Sequence, residues 1–351
     1  MPDLKRCTKC VLPETWAGIR FNSEGVCNVC TEYKNYTKID WKKRQAVFKH
    51  ILKTYKEYAW DNKNKYDCIV GYSGGKDTAY TLWAMKRKYG MSPLAVTWDH
   101  GFKMSADAEY NLMEVPKILD VDHMRFTIGN GLRNALCKTA SRVMGDFCWH
   151  CHNGVGAFPA RVSKMMDIPL QIWGEPTAIY QTGGSFSLND IEEQDEDHFH
   201  KVFQNNITPE MVKPFDYDLI DLQPMTWPKG EFQLKAVYLG NYELWNQRDH
   251  VKIITDELGW KHIPSENTWC DWDKVDCPHE IVRDYQKFIR RGFGKASFQA
   301  SKDVREGLIG RTKALELVEK YEGKVPSNMK QFCEEIETTP EEFVEMTSKQ
   351  I

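Results

Sequence analysis

Apolar and polar positions fall into blocks along the chain, and the period changes from block to block. Residues 38–60, "KIDWKKRQAVFKHILKTYKEYAW", place Trp41, Val47, Ile51, Leu52 and Tyr55 at helical spacing. After the polar break "DNKNK", Tyr66 opens a run of strand, glycine turn and helix: "YDCIVGY", "SGGKD", "TAYTLWAMKRKYG". The strand "PLAVTWDHG" leads to a helix over about residues 105–119, and "HMRFTI" to a helix over 131–144. A helix over 155–167 precedes the strand "PLQIWGE", and "LKAVYLGNYEL" (234–244) reads as one more strand. Such alternation predicts an α/β fold: an open parallel sheet with helices on both faces. The last third is mostly helical, in "HEIVRDYQKFIRR", "SKDVREGLIGRTKALELVEKY" and "TPEEFVEMTSK", the last with a helix start at Thr339-Pro340-Glu341. Residues 188–217, containing "NDIEEQDEDHFH", are acidic without a clear period and read as a solvated excursion. The expected organisation is a ribbon over 1–35, a linking helix over 36–62, the sheet domain over 63–245 and a helical region over 246–351.

Composition narrows the class. A length of 351 residues suggests two domains at roughly 150 residues each. A hydrophobic content of 41% and a charged content of 28% are ordinary for a soluble globular chain. The net charge of −3 gives no global signal for nucleic acid or membrane. "MPDLKRCTKC" holds no apolar run of signal-peptide kind, and no stretch approaches the roughly eighteen apolar residues of a membrane span. The expectation is a cytoplasmic protein.

In a reducing compartment the eleven cysteines are not expected to be disulfides. Cys7-x-x-Cys10, sixteen residues and Cys27-x-x-Cys30 match the spacing of a four-cysteine Zn²⁺ ribbon. About thirty residues hold too little core to fold unaided, so the metal would supply the folding energy. Four thiolates leave no open position, which makes the site structural. Cys148 and Cys151 in "GDFCWHCHNG" form a lone pair: a redox couple, half a metal site, or a fortuitous pair. Either Cys270 or Cys277, in "WCDWDKVDCPH", could supply a third ligand, and His150, His152 and His279 are further candidates. Cys68, Cys137 and Cys333 read as ordinary thiols.

The turn "SGGKDT" carries the most specific chemistry. Consecutive N–H groups in a glycine turn form an anion nest, and the helix behind adds its positive end. Ser73 and Thr78 add hydroxyls, Gly74 and Gly75 allow close approach, and Lys76 adds charge. Asp77 fits beside phosphate if it holds Mg²⁺. Neither G-x-x-x-x-G-K-[ST] nor G-x-G-x-x-G is present. The bland alternative is an ordinary Gly-Gly turn. With its flanking strand and helix, the hexamer resembles the PP-loop of the N-type ATP pyrophosphatases, of the adenine nucleotide alpha hydrolase-like fold. That resemblance implies cleavage of ATP between the α- and β-phosphates. It also implies nucleotide contacts at the ends of later strands, at Asp99 in "TWDHG" and Gly174 in "WGEPTA".

"RCTKCVLPETWAGIRFNSEGVCNVC", "YDCIVGYSGGKDTAY", "FCWHCHNGVGA", "PLQIWGE" and "RRGFGKASFQASKDVREGLIGR" together resemble the N-acetyl sugar amidotransferases of bacterial surface-polysaccharide and flagellin-glycan biosynthesis. The resemblance implies a carbon–nitrogen ligase that turns the acetamido group of a nucleotide-sugar into an acetamidino group. Lys76 and Asp77 would be catalytic, with ATP and Mg²⁺. It implies a separate glutaminase subunit and a cyclase-like ammonia-carrying subunit; no nucleophile elbow for a built-in glutaminase is present. Arg290, Arg291 and Lys295 would contact the nucleotide-sugar, or else lie on a solvated helix face. From tRNA thiolation relatives, the resemblance implies that Cys148, Cys151 and Cys270 hold zinc or an iron–sulfur cluster. Two rival readings stay open. A tRNA thiolation enzyme is disfavoured by the charge of −3. A non-catalytic zinc-held module is disfavoured by the intact loop. A homo-oligomer is compatible with all three.

Overall fold

The computed structural model describes residues 4–175, 191, 193–202, 209–218 and 220–348. Its centre is one sheet. The parallel strands are β1 (Cys68–Gly71), β2 (Pro93–Asp99), β3 (His123–Thr127), β4 (Leu170–Trp173) and, beyond the short β5 (Glu193–Gln194), β6 (Lys235–Tyr238). The order is β3-β2-β1-β4-β6-β5, with β5 antiparallel at the edge. Strand order reverses between β1 and β4, so the loops leaving their carboxyl ends border the crevice where such sheets bind ligands.

Period two divides the sheet between two cores. Cys68, Val70, Ala95, Ile172 and Val237 share one cluster with Leu82 of α3 (Lys76–Trp83), Leu112 and Val115 of α4 (Ala106–Ile118), and Phe48 of α2 (Trp41–Asp61). Ile69, Leu94 and Val96 face the other way, onto Val162 of α6 (Trp149–Met166) and Ile168. Both faces are covered, which is why the strands read as unbroken apolar runs. Leu136 and Ala140 of α5 (Asn130–Met144) complete the second face with Trp98 and Trp149.

Three features differ from the expectations. α6 starts at Trp149, not near 155, so Cys148 is its N-cap and Cys151 lies in its first turn. Gly154, Gly156 and Pro159 hide that start, since each weakens helical propensity. Gly154 is there for packing: a Cβ would stand 2.0 Å from the Trp98 ring. The helix Gln247–Leu258 lies in the region expected to be helical but is not singled out by periodicity, yet its signals are present. Asn246 accepts hydrogen bonds from the Arg248 and Asp249 amides, and Gly259 closes it at φ 63. The acidic excursion is not merely solvated. β5 covers the edge of β6, and Phe199 of the helix Glu196–Val202 is buried with Ala157, Ala160 and Trp227. Residues 188–190, 192 and 203–208 of that stretch lie outside the described residues.

The expected helical ending is present, as Glu280–Arg291, Lys295–Arg305, Arg311–Tyr321, Met329–Glu335 and Pro340–Ser348. It packs back on the sheet domain through Phe147, Val282, Phe332 and Phe343. The ribbon docks on it as well, Val11 lying against Ala300, Ala314 and Val318. Among the described residues, no helix is long and apolar enough to cross a membrane.

Gly154→Ala is expected to cost about 2 kcal/mol through overpacking against Trp98, read as a lower urea midpoint with an unchanged m-value.

Candidate functional site

The loop after β1 is held in shape by its own atoms. Gly74 sits at φ +80, and a Cβ there would also meet the Leu112 backbone at 3.0 Å, so α4 and the backbone conformation both demand glycine. The Trp260 indole donates to the Gly74 carbonyl at 2.9 Å. Thr78 Oγ1 accepts from the Ser73 amide at 3.1 Å and donates to the Gly75 carbonyl at 3.1 Å; Ser73 Oγ accepts from the Gly75 amide at 3.3 Å. Gly75 is the N-cap of α3, whose first turn carries Lys76 and Asp77. A fixed nest at a helix start is the arrangement that binds phosphate.

Lys76 is buried, and its ammonium bridges two carboxylates: Asp77 at 2.6 Å and Asp273 at 2.8 Å. Asp273 belongs to the C-terminal region, 197 residues away. Lys295 secures it from behind, donating to its carbonyl at 2.7 Å and to Glu280 at 3.3 Å. Burial works against the Asp273 charge; Lys76 and Lys295 overturn that and hold the carboxyl well below its usual range. At the end of β4, Glu175 behaves oppositely. Burial, and then the charge of Asp77, hold its carboxyl well above the usual range. Asp276 faces the loop too, its Oδ2 lying 3.3 Å from where a Gly75 Cβ would be. Four carboxyl groups thus surround one ammonium beside the nest. A polyphosphate would be repelled unless a divalent cation came with it, and Asp77 and Glu175 are the pair able to ligate Mg²⁺ there. Bound there, the ion would supply charge neutralisation to phosphate oxygens.

Lys76, Asp77, Glu175 and Asp276 line a cleft of about 380 Å³ that runs from the loop past Trp98 and Trp173 to the start of α6; Asp273 stands behind its wall. Cys148, Cys151 and Cys277 lie on its wall, along with His150, His152 and Arg283. Cys270 does not border it; it is buried in the core with Trp272 and Val275. Of the two candidate third thiols, Cys277 is the one that shares the cleft wall with the pair, although the three sulfurs do not all lie within 4.8 Å of one another. Lys274, at φ 53, makes a left-handed turn between Cys270 and Cys277, and Asp276 and Cys277 beyond it line the cleft. Burial raises all three thiols, Cys151 to about 12, and neighbouring Cys151 raises Cys277 further. Burial holds His150 down to about 4, leaving a neutral ring. Arg283 pairs with Asp146 at 2.8 Å on this wall; burial would raise that carboxyl, and Arg283 drives it far below instead. Trp98 Nε1 and His150 Nε2 are buried and find no hydrogen-bond partner among the described residues.

Other expected site residues are placed differently. Asp99 does not border the cleft: its Oδ2 accepts from Arg125 Nε at 2.8 Å and its Oδ1 from the Gly101 amide at 2.9 Å, so it braces β2 against β3. Gly174 does border it, and a Cβ there would meet Thr81 Oγ1 at 2.9 Å. Arg290, Arg291 and Lys295 do not line it. Arg290 lies over Gly145 and donates to its carbonyl at 3.3 Å, Arg291 is exposed, and Lys295 serves Asp273 and Glu280. Arg305 and Arg311 turn to the ribbon, toward Cys10 Sγ at 3.8 Å and the Cys7 carbonyl at 3.2 Å. Sequence reasoning missed Glu175, Lys274, Asp276 and Arg283. The signal for two of them is the charge density of "WDKVDCPH".

In the ribbon, Cys7, Cys10, Cys27 and Cys30 are buried with all four sulfurs within 4.8 Å of one another, a cluster able to hold a metal such as zinc. Among the described residues it is the one His/Cys/Asp/Glu group that close. The Cys10 and Cys27 amides donate to Cys7 Sγ at 3.4 and 3.2 Å, which favours thiolate. Hydrogen bonds among the sulfurs pull the Cys7 and Cys10 thiols down and push Cys27 and Cys30 up. Arg305 stands where the negative charge of a four-thiolate centre needs compensation.

Residues 266–350 match the family described as LPS biosynthesis protein WbpG-like, C-terminal domain. That span contains Asp273, Lys274, Asp276 and Cys277, and the match supports a role in glycan biosynthesis. The chain is also 30% identical over 170 residues to an uncharacterized protein of Methanocaldococcus jannaschii. The match covers 48% of this chain and 58% of that one, less than two thirds of its length.

Chelation of the ribbon metal is expected to release one zinc per chain, measured by mass spectrometry of the metal. Hydrogen-exchange protection should then fall across 295–305 and 311–321, where the ribbon docks, and hold in β1, β2 and β4. Cys10→Ser should reproduce both effects.

Proposed function

We propose that this protein is an ATP-dependent amidotransferase acting on the acetamido group of a nucleotide-linked sugar in glycan biosynthesis. The observation that carries the reading is the phosphate nest at the β1/β4 switch point, opening on a cleft whose far wall is the glycan-type C-terminal region. In the first step the amide oxygen attacks the α-phosphorus of ATP. The new P–O bond forms as the bond to the β-phosphate oxygen breaks, and pyrophosphate leaves. In the second, the ammonia lone pair attacks the activated carbon. A C–N bond forms, AMP leaves with the C–O electron pair, one ammonia proton is lost, and the product is an amidinium. An amide oxygen is a poor leaving group and AMP a good one, which is the use of ATP here.

Each residue has a part in this scheme. The loop amides and Lys76 hold the departing phosphates, and Asp273 sets the position of Lys76. Asp77 and Glu175 would hold Mg²⁺, whose charge would favour the ionised form of the raised Glu175 carboxyl. Trp98 Nε1 is a donor without an acceptor among the described residues, and the neutral His150 ring can accept or donate. An amide offers the matching oxygen and N–H. Cys148, Cys151 and Cys277 are proposed to hold a second metal centre, zinc or an iron–sulfur cluster, on the cleft wall, which requires the three sulfurs to draw closer than they stand here. Ammonia is proposed to come from a separate glutaminase with a cyclase-like carrier. The thiols also suit sulfur transfer to a tRNA base, a second reading against which the net charge of −3 and the C-terminal match weigh.

The test is pyrophosphate release that requires an acetamido nucleotide-sugar. Lys76→Met should lower that release by about 10²-fold, with the ribbon zinc retained. Release triggered by tRNA and by no sugar would sink the reading. For the second centre, anaerobic metal analysis should find it lost in Cys277→Ala and kept in Cys270→Ala.

A further inference from the structure

Behind the catalytic cleft lies a second cavity, of about 310 Å³. The two are back to back: Lys274, Cys277 and Glu280 stand in the wall of both. The outer rim of the second cavity is formed by exposed residues, among them Ser105, Pro264, Glu266 and Ser327. Its inner end is Asp273, the residue that holds Lys76. One layer of side chains therefore separates an outward-facing cavity from the site of chemistry.

We propose that this second cavity is the port through which ammonia reaches the activated substrate carbon. The inference rests on the amidotransferase reading. That reaction needs two kinds of ligand at one centre, a large anionic pair (ATP and nucleotide-sugar) and a small nitrogen nucleophile. Once the first pair fills the cleft, its open side is blocked, and the nucleophile needs another way in. The charge of the cavity selects for such a passenger. Carboxylates of Asp273, Glu280 and Glu266 line it against the ammonium of Lys274, an excess of negative charge that repels a phosphate or pyrophosphate, draws in ammonium and admits ammonia. Glu280 is fixed by Lys295 at 3.3 Å and by Asn267 at 3.2 Å, and Asp273 by Lys76 and Lys295. Lys274 is the exposed, long-chained member of the shared wall. At the rim, Glu266 accepts from the Ser327 amide at 2.8 Å and hydroxyl at 3.2 Å, which ties the segment before Asp273 to the C-terminal helices. Ammonia that crosses supplies the lone pair for the C–N bond. One of its protons is lost and AMP departs, as in the second step above.

The experiment narrows the rim without touching the cleft. Ser327→Trp and Pro264→Trp are each compared with Ser327→Ala, using ammonium chloride as nitrogen source and an acetamido nucleotide-sugar as acceptor. Sugar-dependent exchange of labelled pyrophosphate into ATP reads the first step alone, and amidine formation reads both. The port predicts unchanged exchange in both tryptophan variants. It also predicts a KM for ammonium raised several-fold and more ATP hydrolysed per amidine formed, with Ser327→Ala like the unaltered protein. Unchanged ammonium KM in both tryptophan variants, with exchange intact, overturns the port and leaves the amidotransferase reading standing. Absence of sugar-dependent exchange in the unaltered protein overturns that reading and the port with it.

Discussion

The site depends on one shared carboxylate. Asp273 is buried between Lys76 of the phosphate loop and Lys295 of the C-terminal region. A buried charge is tolerated when it is paired and hydrogen-bonded, and removing one partner leaves the others uncompensated. The three groups therefore hold each other in place, and with them two parts of the chain far apart in sequence. The loop has its cation aimed because the C-terminal region is docked, and the C-terminal region is docked in part because the loop's cation needs a counter-charge.

That coupling explains why so much of the cleft wall comes from beyond the sheet. The crevice at the β1/β4 switch point supplies the nest and two carboxyls, Asp77 and Glu175. Lys274, Asp276, Cys277 and Arg283 come from the region that follows. The ribbon steadies the same region from outside, through Val11 on Ala300 and Ala314 and through Arg6, which donates to Ser297 Oγ at 2.8 Å. Metal binding in the ribbon and the geometry of the cleft are thus linked through the helices Lys295–Arg305 and Arg311–Tyr321, although the two sites share no residue.

The electrostatics of the cleft carry a second lesson. A phosphate site is expected to be cationic, yet Asp77, Glu175, Asp273 and Asp276 gather around one lysine. The balance suits a ligand that brings its own divalent cation, and it makes the unliganded loop self-satisfied: Ser73, Thr78 and Asp273 occupy the donors that phosphate would use.

Short-range order was legible in the chain. Apolar runs and glycine turns located β1 to β4 and β6, and the spacing of Cys7, Cys10, Cys27 and Cys30 located the ribbon, because each depends on neighbours within a few residues. The glycine turn of "SGGKDT" between β1 and α3 was readable for the same reason, its hydrogen bonds running between Ser73 and Thr78. Contacts across long separations were not. Periodicity has no means of saying that Cys277 rather than Cys270 shares the cleft wall with Cys148 and Cys151, since only seven residues and one left-handed turn at Lys274 separate the two. Nor could it say that Asp99 braces Arg125, that Lys295 serves Asp273 instead of a ligand, or that Gly154 exists to admit Trp98. Local sequence determined the elements, the glycine turn and the four-cysteine cluster, because backbone conformation and metal-ligand spacing are local. Tertiary structure alone decided which charges, thiols and rings share the cleft, because burial obliges each buried charge to find its partner wherever in the chain that partner lies.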